Sequence, residues 1–155
     1  MKKDRFYLAY GSNLSVEQML RRCPDAVYVG WTVINEHRLL FKGSRTGSYL
    51  TIEESEGDYV PCLVWKVSEE DEDNLDRYEG YPIFYGKAEL DCDVFSLLDG
   101  SVIGEVEAFV YAMRPDARIG IPAKHYYNVC LEGYRRFGFN ENLLKKALDA
   151  SYDAV

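Results

Sequence analysis

Two short stretches carry the residues best suited to chemistry. The first is Tyr10-Gly11-Ser12-Asn13-Leu14, where an apolar run from Phe6 to Tyr10 meets a turn that opens a helix. Ser15 with Gln18 three residues on is a capping-box pattern, placed ahead of the periodic apolar residues Val16, Met19 and Leu20. Backbone N–H groups in such a turn point outward beside the positive end of a helix, which suits an anion or a developing oxyanion. Gly11 allows close backbone approach, and Ser12 and Asn13 add side-chain donors. Gly, Ser and Asn equally suit an ordinary strand-to-helix turn.

The second stretch ends at Glu79-Gly80. Ser68 caps a helix whose first turns are crowded with Glu69, Glu70, Asp71, Glu72 and Asp73; it runs through Leu75 and Tyr78 and stops at Gly80. Acidic residues at the start match the positive helix end, and the run reads as a solvated face, with a cation site as its alternative. A carboxylate at the other end faces the negative pole of the dipole, so the charge of Glu79 is disfavoured there. Burial among Tyr78, Tyr81, Phe84 and Tyr85 would push the same way, toward a working general acid/base. An exposed helix-end glutamate is the other reading of the same residues.

The remaining elements must position these two stretches. After the first helix, which stops near Cys23-Pro24, Val27 to Ile34 and His37 to Lys42 read as two strands joined at Asn35-Glu36. Gly43 to Gly47 reads as a flexible loop. Tyr49 to Glu53 is a further strand, Glu56-Gly57-Asp58 a turn, and Tyr59 to Val67 a buried strand with Pro61 at its start or on an edge. Phe84 to Val94 and Glu105 to Met113 read as longer strands turned at Asp99-Gly100. Two helices finish the chain: Ala123 to Phe137, ended by Gly138, and Glu141 to Tyr152, capped by Asn140. Antiparallel-looking strands with helices between and after them imply an α+β domain with a barrel-like sheet, and the 155 residues fit one domain.

Composition narrows the function. With 47% hydrophobic and 28% charged residues the chain is an ordinary globular one. A net charge of −8 with dispersed Lys and Arg argues against a nucleic-acid surface. The apolar run behind Met1-Lys2-Lys3-Asp4-Arg5 is too short for a secretory segment, and no stretch is long enough to span a bilayer. Cys23, Cys62, Cys92 and Cys130 are widely separated, which reads as reduced thiols in a cytoplasmic protein. His37 and His125 sit at no metal-ligand spacing, so no metal is expected. The residues assign no oligomeric state.

Tyr10-Gly11-Ser12-Asn13, then Leu63-Val64-Trp65-Lys66, then Leu75-Asp76-Arg77-Tyr78-Glu79-Gly80, then Tyr85, Tyr111, and Tyr126 with Gly133 follow one another in an order that resembles the γ-glutamylcyclotransferase-like family. Its members include γ-glutamylcyclotransferase, γ-glutamylamine cyclotransferase, the plant avirulence-induced proteins and a bacterial enzyme of aminoglycoside biosynthesis. The resemblance runs from about Arg5 to Leu148 and implies a compact mixed β-barrel with flanking helices. It implies a cofactor-independent enzyme that cyclises a γ-glutamyl amide to 5-oxoproline and releases an amine or amino acid. Glu79 matches the catalytic acid/base, and Tyr10, Gly11, Ser12, Asn13 and Leu14 match the substrate-holding loop. Tyr85 and Tyr111 match cavity tyrosines, and Tyr126 a further one, with His125 the competing choice. Pro61-Cys62 stands where many members carry a glycine, and Gly43 to Tyr49 departs from the family pattern.

Other readings accompany this one. A γ-glutamylamine cyclotransferase, or a biosynthetic enzyme that removes a γ-glutamyl group, would use the same Glu79 with a different leaving group. A serine hydrolase on Ser12 lacks the G-x-S-x-G elbow. A non-catalytic small-molecule binding barrel would keep the pocket without turnover. Arg45 is placed to pair with a substrate carboxylate, or to lie solvated in its loop.

Overall fold

A computed structural model describes residues 4–44 and 47–154. Arg45, and Met1, Lys2 and Lys3 of the basic N-terminal run, lie outside the described residues. Six strands and four helices follow in the order β1 (Arg5–Ala9), α1 (Val16–Arg22), β2 (Val27–Ser44), β3 (Gly47–Val67), α2 (Glu69–Glu79), β4 (Gly86–Phe95), β5 (Val102–Ala112), β6 (Arg118–Ile119), α3 (Lys124–Phe137) and α4 (Asn142–Ala154). A 3-10 turn, Ser12–Leu14, stands between β1 and α1.

The sheet runs β3-β1-β5-β4-β2, and a β2–β3 ladder closes it into a five-stranded barrel, with β6 added beside β2. The β1–β5 pair is parallel and the other ladders are antiparallel. This is the α+β domain with a barrel-like sheet expected from the element pattern, and the mixed barrel with flanking helices that the resemblance implies. β1 lies between β3 and β5, so Tyr7, Leu8 and Ala9 are all buried, and the chain leaves the barrel directly into the Gly11 turn. Leu8, Leu63, Trp65 and Phe109 are among the nearly inaccessible side chains of the core.

Two expected turns do not end a strand. β2 runs through Asn35-Glu36 and β3 through Glu56-Gly57-Asp58, but the ladder is interrupted there: Asn35 pairs with Tyr59 and His37 with Glu54, so residues 55–58 bulge out as a turn opposite Glu36. Glu36 takes a positive φ of 59°, Gly57 a φ of 81°, and the Gly57 N–H donates to the Glu36 carboxylate at 2.8 Å. The polar residues fold the bulge and satisfy it, so pairing resumes on both sides. Pro61 accordingly sits inside β3, opposite Val33, two residues past the end of the β1 ladder at Leu63. Of the stretch read as a Gly43 to Gly47 loop, Arg45 and Thr46 lie outside the described residues, while Gly43 and Ser44 end β2 and Gly47 begins β3, with Gly43 paired to Ser48. β6 carries no sequence signal; its two residues pair with Lys42 and Gly43.

α2 follows its signals closely. Ser68 Oγ accepts from the Asp71 N–H at 3.1 Å, the Asp71 carboxylate accepts from the Ser68 N–H at 3.2 Å, and Gly80 ends the helix at φ 65°. The acidic run is thus partly structural. Asp71 closes the cap, and Glu72 bonds Arg5 at 2.8 Å and Lys87 at 2.7 Å. Among the described residues no group of carboxylates, cysteines and histidines is placed to hold a metal, and no helix is long and apolar enough to cross a membrane.

Candidate active site

The turn after β1 is held from three sides. Leu14 and Ser15 N–H groups donate back to the Gly11 and Ser12 carbonyls at 3.0 Å, and Ser15 Oγ caps α1 by accepting from Gln18 N–H. Trp65 Nε1, from β3, donates to the Asn13 carbonyl at 3.2 Å. From α3, Tyr134 donates to the Tyr10 carbonyl at 3.2 Å. Gly133 lets α3 lie against the turn: a Cβ there would come within 2.5 Å of Leu14 Cβ. The first N–H groups of the 3-10 turn, those of Ser12 and Asn13, precede the donors that the turn itself uses.

This turn, the last residues of α2 and the hairpin end of β3 enclose a cavity of about 330 Å³. Tyr10, Gly11, Ser12 and Asn13 line it, as do Glu79, Tyr85, Tyr111 and Tyr126. Of the residues the sequence assigned to the site, Leu14 alone does not reach the cavity: its side chain is fully buried beneath Gly133, in the core. His125 is exposed at the start of α3, and the helix turns Tyr126 inward instead. Asn13 has a role beyond the expected one. Its amide accepts from Arg22 and gives one N–H to the Tyr7 hydroxyl at 3.0 Å, so the side chain also braces the turn.

Glu79 sits at the last position of α2 and opens on the cavity. Among the described residues no donor bonds its carboxylate, while Arg22, stacked 3.5 Å above the Tyr78 ring, acts on it electrostatically. Burial pushes the Glu79 carboxyl up to about 7, and Arg22 only partly offsets this. The charge of Glu79 in turn raises the proton affinity of Tyr7, Tyr10, Tyr85 and Tyr111, already high from burial.

The tyrosines form a hydrogen-bonded wall. Tyr10 donates to the Tyr111 carbonyl at 2.7 Å, Tyr85 donates to the Leu50 carbonyl at 2.7 Å, and Leu50 N–H donates to the Tyr126 hydroxyl at 3.0 Å. Both backbone groups of Leu50 therefore meet cavity phenols, because β3 extends past the end of β1 at this level. The approach is close on the facing side too: a Cβ on Gly11 would stand 3.3 Å from the Tyr126 hydroxyl. Tyr7, Tyr49, Leu50, Arg77, Tyr78 and Phe84 also line the cavity; Tyr78 and Phe84 are among the residues expected around Glu79, and the others were not assigned to the site from sequence. Tyr78 and Arg77 adjoin Glu79 on α2 and were legible as its neighbours. Tyr49 and Leu50 carry no local signal, since closure of the barrel brings them in.

Chemically, the arrangement offers backbone donors on one side, a single carboxylate of raised proton affinity on the other, and aromatic walls between. The fold and site define a class: α+β barrels in which a strand-to-helix turn shares a cavity with a glutamate at a helix end. Within that class, the chain belongs to the gamma-glutamyl cyclotransferase, AIG2-like family, whose model matches residues 7–129. Gamma-glutamylcyclotransferase of Bos taurus is 40% identical over 81 residues, covering 48% of this chain and 43% of the bovine protein. The Homo sapiens protein of that name is 37% identical over the same shares. The matched segment thus takes in less than half the length of these relatives. A solved structure named gamma-glutamyl cyclotransferase superposes with a TM-score of 0.78 at 26% identity, covering 96% of this chain and 88% of the other. YkqA from Bacillus subtilis shares the fold, with a TM-score of 0.74 at 18% identity over 99% of this chain and 56% of its own.

Proposed function

We propose that the cavity cyclises a γ-glutamyl amide to 5-oxoproline and releases the amine or amino acid that the amide carried. The observation that supports this most directly is Glu79, held at a raised pKa and lining one cavity with Ser12 and Asn13. In the reaction the substrate's own α-amine attacks its γ-carbonyl carbon. The ring C–N bond forms, the γ-amide C–N bond breaks, and no protein nucleophile takes part. Holding the glutamyl chain folded, with amine and carbonyl in reach, can contribute roughly 7–11 kcal/mol. Glu79 accepts a proton from the α-ammonium, freeing the attacking lone pair, and delivers it to the amide nitrogen as the C–N bond breaks. The second proton shed by the ring nitrogen passes by the same carboxylate to the departing amine, which leaves as an ammonium, so the lactam is neutral and Glu79 ends as it began. The N–H groups of Ser12 and Asn13 supply the donors for the carbonyl oxygen as it gains charge, or for the substrate carboxylate.

The same reading includes a reducing, cytoplasmic setting, supported by four free and buried cysteines. The test is 5-oxoproline release by the purified protein across γ-glutamyl dipeptides and γ-glutamyl amines, with Glu79→Gln alongside. Product from the wild type and none from the variant is expected, and the preferred amine identifies the subclass. A folded wild-type protein that forms no product across the panel would overturn the proposal.

A further inference from the structure

Three of the cavity phenols have their protons turned away from the cavity. Tyr10 and Tyr85 donate to backbone carbonyls. Tyr111 differs, because its acceptor is charged: its hydroxyl donates to Asp76 Oδ1 at 2.5 Å. The same oxygen of Asp76 lies 2.8 Å from Lys87 Nζ, which also bonds Glu72 at 2.7 Å and is itself mostly buried. Lys87 stands 4.5 Å from the Tyr81 ring centroid and 5.6 Å from that of Tyr111, so aromatic rings hold the ammonium in place. Asp76 precedes Glu79 by three residues on α2, one helical turn, and its carbonyl accepts the Tyr81 N–H at 2.9 Å across the helix end. One side chain thus ties the turn that bears Glu79 to the cavity wall at Tyr111.

A phenol has one proton. With that proton committed to Asp76, Tyr111 can present to a ligand only its ring and its oxygen lone pairs. We infer that Asp76, braced by Lys87, is a positioning residue that fixes Tyr111 as a hydrogen-bond acceptor, and that Tyr111 receives an N–H of the substrate's attacking α-amine. This rests on the γ-glutamyl reading and extends it to the orientation of the nucleophile. Glu79 takes one proton from the ammonium. Tyr111 accepts a hydrogen bond from another, which restrains rotation of the amine so that its lone pair meets the γ-carbonyl. An amine free to rotate would still bind but would present the lone pair less often.

The test is a double-variant cycle with Tyr111→Phe and Asp76→Leu, both close in size to the residues they replace. Phe removes the acceptor; Leu removes the oxygen that receives the phenol proton, which frees that proton to turn toward the cavity and makes the acceptor a donor. Each variant is expected to lower kcat by about tenfold or more with a smaller, severalfold rise in KM, the scale of one misplaced hydrogen bond. The pair together is expected to be no slower than Tyr111→Phe alone, because Asp76 acts through Tyr111. Multiplying effects would overturn the inference, as would wild-type kcat in either variant. Titration with L-glutamate and with glutarate, the same chain without the amine, gives a second reading free of turnover. The wild type should favour L-glutamate, and Tyr111→Phe should narrow that preference severalfold, by the same factor as its KM, while Glu79 still holds the ammonium; a preference of wild-type size would also overturn the inference. A wild-type protein without 5-oxoproline formation would remove the underlying reaction, whereas active wild type with unaffected variants removes only the role of Tyr111 and Asp76.

Discussion

Replacing Glu79 by Gln keeps the shape of the side chain and removes its proton chemistry, so stability and activity should move in opposite directions. In the folded protein burial lifts the Glu79 carboxyl from the ordinary 4.5 to about 7. Below about pH 4.5 the residue is protonated in both folded and unfolded chains. Between there and pH 7 only the folded chain holds the proton, so the folded state loses stability as pH rises. Above pH 7 the loss is complete. At about 1.36 kcal/mol per pH unit the full difference is about 3 kcal/mol, and water in the open cavity screens this to about 1–2 kcal/mol. Glu79→Gln should therefore unfold at higher denaturant than wild type at pH 8 and at nearly the same denaturant at pH 4.5. The same variant should lose a factor of about 10² to 10⁴ in kcat, or about 3–5 kcal/mol in the barrier. Wild-type kcat/KM should climb with pH through an apparent pKa near 7, and the variant should lack that limb. Urea titrations at the two pH values and 5-oxoproline release across pH measure both arms. A variant that is active, or that is less stable than wild type at pH 8, would refute the role and burial assigned to Glu79.

Three further outcomes test the surrounding structure. Arg22→Gln removes the cation that holds the Glu79 pKa down, so the alkaline rise in kcat/KM should move to higher pH, as a pH profile would detect; an unmoved profile would detach Arg22 from the site. Gly133→Ala drives a Cβ to 2.5 Å from Leu14 Cβ, and should cost about 1–3 kcal/mol in thermal unfolding through overpacking. Trp65→Phe removes the 3.2 Å bond to the Asn13 carbonyl, and should lower stability by about 1 kcal/mol in chemical denaturation and raise KM as the turn loosens.

Much of the site was legible because its signals are local. Ser15 and Ser68 announce helix starts through side chains that reach N–H groups two or three residues on, and Gly80 and Gly138 end helices in the left-handed conformation that glycine adopts without strain. Glu79 could be placed at the negative helix pole for the same reason, whereas the tyrosine assignments rested on the family resemblance and not on any local signal. Where the local signal fell short, polar residues were the cause. Asn35-Glu36 and Glu56-Gly57-Asp58 have the composition of turns, and only pairing over the whole β2–β3 ladder makes them a bulge within it and not the end of a strand.

Tertiary structure decided the rest. Closure of the barrel carries Tyr49 and Leu50 to the Gly11 turn, and the Leu50–Tyr126 bond spans 76 residues. The partners of Asn13, the burial of Leu14 under Gly133 and the depth of Glu79 depend on how α3 and α2 pack, which periodicity along one element does not encode. Sequence alone determined which residues have the chemistry and which local conformations they adopt, since those follow from side-chain type and short-range hydrogen bonding. Only the closed barrel determined which groups share a cavity, and with that the proton affinity of Glu79 and the outward-turned proton of Tyr111, since both depend on desolvation and partners distant in the chain.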